Sequence, residues 1–326
     1  MTHLTYIDSI VLKEQDKSLY NRKRSLWNVL IKYKELYLLF IPVALWYIIF
    51  CYIPMSGIII AFKDYKFLQG IFGSQWVGFK HFERFLTSRD FLNTLRNTLL
   101  ISSYNLLFVF PAPIIFALML NELKYEKFKK VIQTVSYLPH FISWAVAGGL
   151  FYLILSPSNG FVNTIIQSLG FKPMNFMGDV RYFRSVIVVS GMWKSTGWTA
   201  IIYLASLAGV DPQLYEAATI DGAKRLQRIW HVTLPSIKSV IVIMLILAVG
   251  NILYIGFEQI YIMINVTVLD VGETIDYYIY RVGLYDFTNF SYVTAIGLFK
   301  SVIGFFLILM TNVTVKKIDE DTGGIW

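Results

Sequence analysis

Asp211-Pro-Gln-Leu-Tyr-Glu-Ala-Ala-Thr-Ile-Asp-Gly-Ala-Lys-Arg-Leu-Gln-Arg-Ile-Trp-His-Val-Thr-Leu-Pro235 is a hydrophilic stretch between two apolar segments of membrane length. Its order reads as helix, turn, helix, stop. Asp211 can accept hydrogen bonds from orphan amides as an N-cap, and Pro212 suits the first helical position, where its missing N–H would be unpaired anyway. Leu214, Ala217 and Ala218 fall on one face at i, i+3, i+4 spacing, and Gly222 supplies the left-handed conformation that ends a helix without a Cβ clash. A second short helix carries Leu226, Ile229 and Trp230 on one side, and Pro235 limits its run. A few residues suffice to join two spans, so an amphipathic knuckle of this size implies a docking partner.

Outward from the knuckle, the chain is 56% hydrophobic and only 15% charged over 326 residues, a membrane composition. Apolar runs at about 36–61, 95–120, 131–156, 185–208, 237–266 and 292–315 predict six transmembrane helices in an all-α integral membrane protein. The first run follows a charged leader and has no small-residue cleavage site, so it reads as a retained span. Seventeen Lys and Arg, counting Lys238 at a span edge, fall on the side holding the N-terminus, the 121–130 loop, the knuckle and Lys316-Lys317. The opposite side carries ten, counting Arg96 and Arg184 at span edges. The short loops carry the bias best, which predicts both termini and the knuckle inside, with the knuckle between the fourth and fifth spans.

Three regions follow: a basic amphipathic leader at 1–34, a transmembrane domain at 35–315 containing the knuckle at 211–236, and a tail at 316–326. Leu19, Tyr20, Leu26, Trp27, Leu30 and Ile31 give the leader its helical spacing, which suits the lipid surface. The aromatic 62–94 stretch is expected to form a helical cap outside, and the 157–183 and 267–291 loops are expected outside too. Pro111 and Pro113 are expected to bend the second span and Pro139 the third.

Several chemistries lack their marks. No Gly-x4-Gly-Lys-Ser/Thr loop occurs, His3, His81, His140 and His231 are scattered, and one cysteine, Cys51, gives no zinc ligand set. No serine sits in a Gly-x-Ser-x-Gly elbow. The net charge of +8 is spread along membrane flanks without base-stacking aromatics on a soluble domain, so nucleic acid is not an expected partner.

Glu216-Ala-Ala, Gly222 after three intervening residues, and Val-Thr-Leu-Pro ending at Pro235 resemble the cytoplasmic loop of ABC-importer permeases. Ile53-Pro-Met-Ser-Gly-Ile-Ile-Ile-Ala-Phe-Lys-Asp-Tyr65, Asn97-Thr-Leu, Leu214-Tyr-Glu-Ala-Ala-Thr-Ile-Asp-Gly-Ala223 and Thr294-Ala-Ile-Gly-Leu-Phe-Lys-Ser301 resemble its oligosaccharide and polysaccharide subfamily, over roughly residues 35–315. Val232 stands where the family ending usually has isoleucine. The resemblance implies a permease in the bacterial inner membrane that pairs with a second permease, two ATPase subunits and an extracytoplasmic binding protein. ATP and Mg would belong to the ATPases, with no cofactor on this chain. By position, Glu216, Ala217, Ala218, Asp221, Gly222, Leu234 and Pro235 become the ATPase-coupling residues: Glu216 faces basic groups, the alanines permit close packing and Gly222 makes the turn.

Lys194 lies about nine residues into the fourth span, where a lysine costs ~2.5–3.5 kcal/mol on insertion scales, so it should face a cavity or a carboxylate. Lys300 and Glu258 raise the same question, and two readings stand. One is an internal ion pair such as Lys300 with Glu258. The other is a polar cavity in which these charges meet a sugar, with Trp193, Trp198, Tyr254 and Phe257 offering faces for pyranose rings. Two lysines at membrane depth favour an anionic saccharide of alginate or pectin type. A proton- or sodium-coupled carrier and a membrane enzyme using Asp270, Glu273, Asp276 and Asp286 remain the alternatives; neither would need an ATPase partner.

Overall fold

A computed structural model describes residues 31–285 and 289–318. Asp286 and nearly all of the leader and tail lie outside them. The described residues up to Ile59 form one compact unit and those from Ile60 a second. Helix α1 (Lys34–Phe62) is apolar around its circumference, the pattern of a helix that meets lipid. In the second unit the 62–94 stretch is indeed partly helical. A two-residue hairpin pairs Lys63 with Trp76 and Asp64 with Gln75, and α2 (Lys80–Leu86) follows. Phe62 stacks on Trp76 at 5.7 Å and meets Phe79 edge-on at 5.5 Å.

Helix α3 (Arg89–Asn121) starts at Ser88, whose Oγ accepts from the Phe91 amide at 3.1 Å. Its prolines do not break it. A π turn at Asn105–Val109 sits just before Pro111, and the Phe110 amide reaches back five residues to the Asn105 carbonyl. Widened turns also occupy Ile48–Tyr52 before Pro54 and Ile229–Thr233 before Pro235. A proline ring crowds the carbonyl four residues earlier, and an i→i−5 turn just before it relieves that crowding while keeping the helix bonded.

Two expected spans are not single helices. Residues 131–156 divide into α4 (Glu126–Phe141) and α5 (Trp144–Leu155), which meet at 105°. Pro139 stands in the last turn of α4, Ile142 is extended, and Ser143 caps α5. The 237–266 run stops at Gly250 as α10 and resumes only at Phe257. Between the breaks lie a short helix α6 (Phe161–Ser168) and the 26-residue α7 (Phe183–Ala208), followed by α8 (Pro212–Ile220), α9 (Arg225–Ser236) and α10 (Lys238–Gly250). After an irregular 251–256 come α11 (Phe257–Met263), α12 (Ile275–Tyr285) and α13 (Phe290–Ile318). The 267–291 stretch is thus more than a loop: Ile275 and Tyr278 of α12 pack with Tyr292 and Ile296 of α13 around Phe85.

By length and composition, three helices can cross a membrane, or five if each bent pair is one span. Helix α7 packs closely on α3 and α4. At Gly197 any Cβ would sit 2.1 Å from the Ser136 carbonyl oxygen, so only glycine admits this approach.

Candidate functional site

The knuckle is folded on itself. Asp211 Oδ1 accepts from the Gln213 amide at 2.9 Å, as its N-cap reading requires. Gly222 has φ +78°, and the amides of Ala223 and Gly222 bond to the carbonyls of Ala218 and Thr219, a pair that closes the C-terminus of α8. The Lys224 amide donates to Gln227 Oε1 at 2.7 Å and starts α9. Arg228 Nη1 donates to Thr219 Oγ1 at 2.8 Å, and the Tyr215 hydroxyl reaches Thr233 Oγ1 at 3.2 Å, so the two helices are cross-tied.

One tie was not foreseen from sequence. Arg225 Nε lies 2.7 Å from Glu122 Oε2, and its Nη2 donates to the Glu122 carbonyl at 2.8 Å. The knuckle is thereby fastened to the turn after α3. Its other side is open: Glu216, Ala217, Asp221, Gly222 and Pro235 are exposed, and Ala218 and Leu234 are half-buried. Ile220 is 86% exposed and Trp230 67%, an apolar surface that water does not reward. Leu226 shares that exposure, whereas Ile229 is half-buried.

A second feature lies between α3, α7 and α10. A cavity of about 480 Å³ is lined by Asn105, Trp144, Ser195, Asn251, Tyr254 and Gln259 among others, with no Lys, Arg, Asp or Glu among the described residues. Neutral amides, hydroxyls and aromatic faces are the groups that hydrogen-bond and stack on a sugar. Gln259 is held in place by Nε2 donating to the Ile187 carbonyl at 2.6 Å and to Ser190 Oγ at 2.9 Å.

Of the seven residues expected on the substrate path, only Tyr254 lines this cavity. Lys194 neither faces it nor meets a carboxylate. Its ammonium donates to the carbonyls of Pro139 at 3.2 Å and His140 at 2.8 Å, and to that of Ile142. At the break between α4 and α5 the Pro139 carbonyl also accepts from the Ile142 amide at 3.3 Å, and the tethered cation adds a donor to all three carbonyls. Trp198, one turn on, stacks on the His140 ring at 4.5 Å, and Trp193 meets Phe151 edge-on at 5.5 Å. Phe257 stacks on Tyr261 at 5.6 Å, and Glu258 is exposed in the first turn of α11.

Lys300 does form an internal ion pair, but with Asp276 of α12 and not with Glu258. The sequence pairing failed because the 251–256 break detaches Glu258 from the helix register assumed for it. Asn105, Ser195, Asn251 and Gln259 escaped notice for a different reason. Each is a neutral polar residue with no charge to mark it; Gly191, Ser195 and Thr199 at four-residue spacing are the sequence signal of the polar face of α7.

A folded knuckle with an open apolar side and a neutral polar cavity at helix breaks suit a membrane transport protein. Residues 109–320 match the family described as binding-protein-dependent transport system inner membrane component, and the chain belongs to it. It is an inner-membrane permease of an ABC importer. Over 315 residues it is 44% identical to the polygalacturonan/rhamnogalacturonan transport system permease protein YteP of Bacillus subtilis, covering 97% of this chain and 96% of that one. Protein LplB of the same organism is 46% identical over 288 residues, or 88% and 90% of the two chains. A solved bacterial ABC transporter involved in import of the acidic polysaccharide alginate superposes with a TM-score of 0.83 at 37% identity, over 90% of this chain and 99% of that one.

Proposed function

We propose that this chain is one half of the translocation path of an importer for acidic oligosaccharides of pectin or alginate type. The observation that carries the coupling role is the knuckle, rigidly cross-tied within and open on the side bearing Glu216, Ala217, Ile220 and Trp230. In this reading α8 is the coupling helix on the cytoplasmic side, between the fourth and fifth of six spans, with both termini cytoplasmic. Leader, transmembrane domain and tail keep the boundaries 1–34, 35–315 and 316–326.

The partners are a second permease, two ATPase subunits that hold ATP and Mg, and a binding protein that delivers the sugar. This chain itself catalyses nothing and holds no cofactor. ATP closes the ATPase dimer, the docked knuckles move with it, and the path opens outward; hydrolysis returns it inward. The acidic preference is supported by the YteP name and by the alginate transporter, whose crystal structure has also been solved with an alginate pentasaccharide-bound periplasmic protein.

The test is purification with the genomic neighbours. The chain should bring down an ATPase, and Glu216→Lys should abolish stimulation of ATP hydrolysis by sugar-loaded binding protein. Loss of neither the co-purifying ATPase nor the stimulation in Glu216→Lys would overturn the coupling assignment.

A further inference from the structure

We propose that Lys300 and Asp276 form a carboxylate-binding subsite beside the cavity, and that Tyr254 is its shutter. The inference rests on the acidic-sugar reading and gives it a physical basis that the cavity wall lacks. Lys300 is buried, with its side chain 6% exposed and Asp276 as its acceptor. Its ammonium lies 3.7 Å from the centroid of the Tyr254 ring, and Tyr254 lines the cavity while Lys300 does not. The ring therefore stands between this ammonium and the cavity; the other cation near the wall, Lys194, lies 5.5 Å from the Trp144 ring centroid and is spent on backbone carbonyls.

An ammonium has three donors; Asp276 takes one, and the ring face receives charge without accepting a full hydrogen bond. A uronate carboxylate can take the place the ring holds. Tyr254 is well placed to yield it, because it sits in the irregular 251–256 stretch between α10 and α11 and is tied at its hydroxyl only to Ser301 at 3.1 Å. Space is available on α13 at Gly297, where a Cβ would meet nothing within 4 Å; at Gly304 a Cβ would already touch the Gly250 carbonyl at 3.4 Å and the Tyr254 ring at 3.6 Å. With the ring across it, Lys300 offers a neutral sugar nothing. With the ring aside, it pays back the desolvation of one carboxylate, which neutral amides do poorly.

The experiment uses the whole importer in proteoliposomes, with an oligouronide and its carboxyl-reduced counterpart as probes at constant binding protein. In the Lys300→Met/Asp276→Asn double variant both charges leave together, so no buried ion is stranded. The ratio of acidic to neutral uptake should fall about tenfold, the scale of one lost charged contact. Should that variant fail to assemble, Asp276→Asn alone leaves Lys300 without its competitor and should lower the KM for the oligouronide. An unchanged ratio in the double variant, or an unchanged KM in Asp276→Asn, overturns the subsite. A wild-type importer that does not distinguish the two probes overturns the acidic-sugar reading instead.

Discussion

The Lys194 ammonium donates to the His140 backbone carbonyl at 2.8 Å, across the break that divides α4 from α5. Four residues on, Trp198 stacks on the ring of that same histidine. Helix α7 thus grips the end of α4 by its backbone and by its side chain, one helical turn apart. Only three residues separate α7 from α8, so the gripping helix runs straight into the knuckle.

Replacing Lys194 by Met should therefore act on stability. Carbonyls left without a donor in an apolar setting, together with a lost charged hydrogen bond, cost about 3 kcal/mol. The purified complex should melt several degrees lower, and Lys194→Arg, which keeps donors and charge, should recover part of the loss. A Lys194→Met complex that melts with the wild type would remove the clamp from the account.

The Glu122–Arg225 pair predicts a different signature. Its arginine side chain is 57% exposed, so the pair stabilises the fold by less than ~1 kcal/mol. Its value lies in joining the knuckle to the turn after α3. Glu122→Gln should leave the melting temperature nearly unchanged while lowering sugar-stimulated ATP hydrolysis about fivefold, the lower range of a coupling energy. The exchanged pair Glu122→Arg/Arg225→Glu should restore part of it; no change in stimulation for either variant would show the tie to be incidental.

His81 makes the 62–86 segment acid-sensitive. Its Nε2 lies 3.1 Å from the Lys63 carbonyl and Nδ1 is buried without a partner. Burial pushes its pKa below the ordinary value of 6.5, against the carbonyl bond and Asp64, while Lys80 and Arg84 push it lower still. A depressed folded pKa means stability that is present above the unfolded pKa and lost as pH falls through the folded one. Amide-exchange protection at Val77 and Gly78, both bonded to the Phe62 carbonyl, should fall on acidification below about pH 6, and His81→Gln should flatten that dependence. Equal pH profiles for both proteins would refute it.

Much of the knuckle was legible because its signals are local. An Asp-Pro start, a glycine at the turn and a proline stop act through backbone geometry that needs no tertiary contact. The cavity was not legible in this way. Its polar residues come from α3, α7 and both sides of the 251–256 break, and only tertiary packing brings them together. The two lysines expected at membrane depth both find partners within the chain. Of the seven residues expected on the path Tyr254 alone lines the cavity, and its link to Lys300 crosses 45 intervening residues that no sequence window spans.

Each π turn before Pro54, Pro111 and Pro235 holds one residue more than an α turn. Moving that surplus residue up or down a helix changes no bond count and leaves both flanks in place, but it rotates the residues it passes by about 100° and shifts them by about 1.5 Å. In α3 the surplus sits beside Asn105, on the cavity wall; in α9 it sits inside the knuckle. The two ends of the proposed stroke thus each contain a screw thread with slack, able to re-aim a side chain in the membrane without unwinding the helix that carries it.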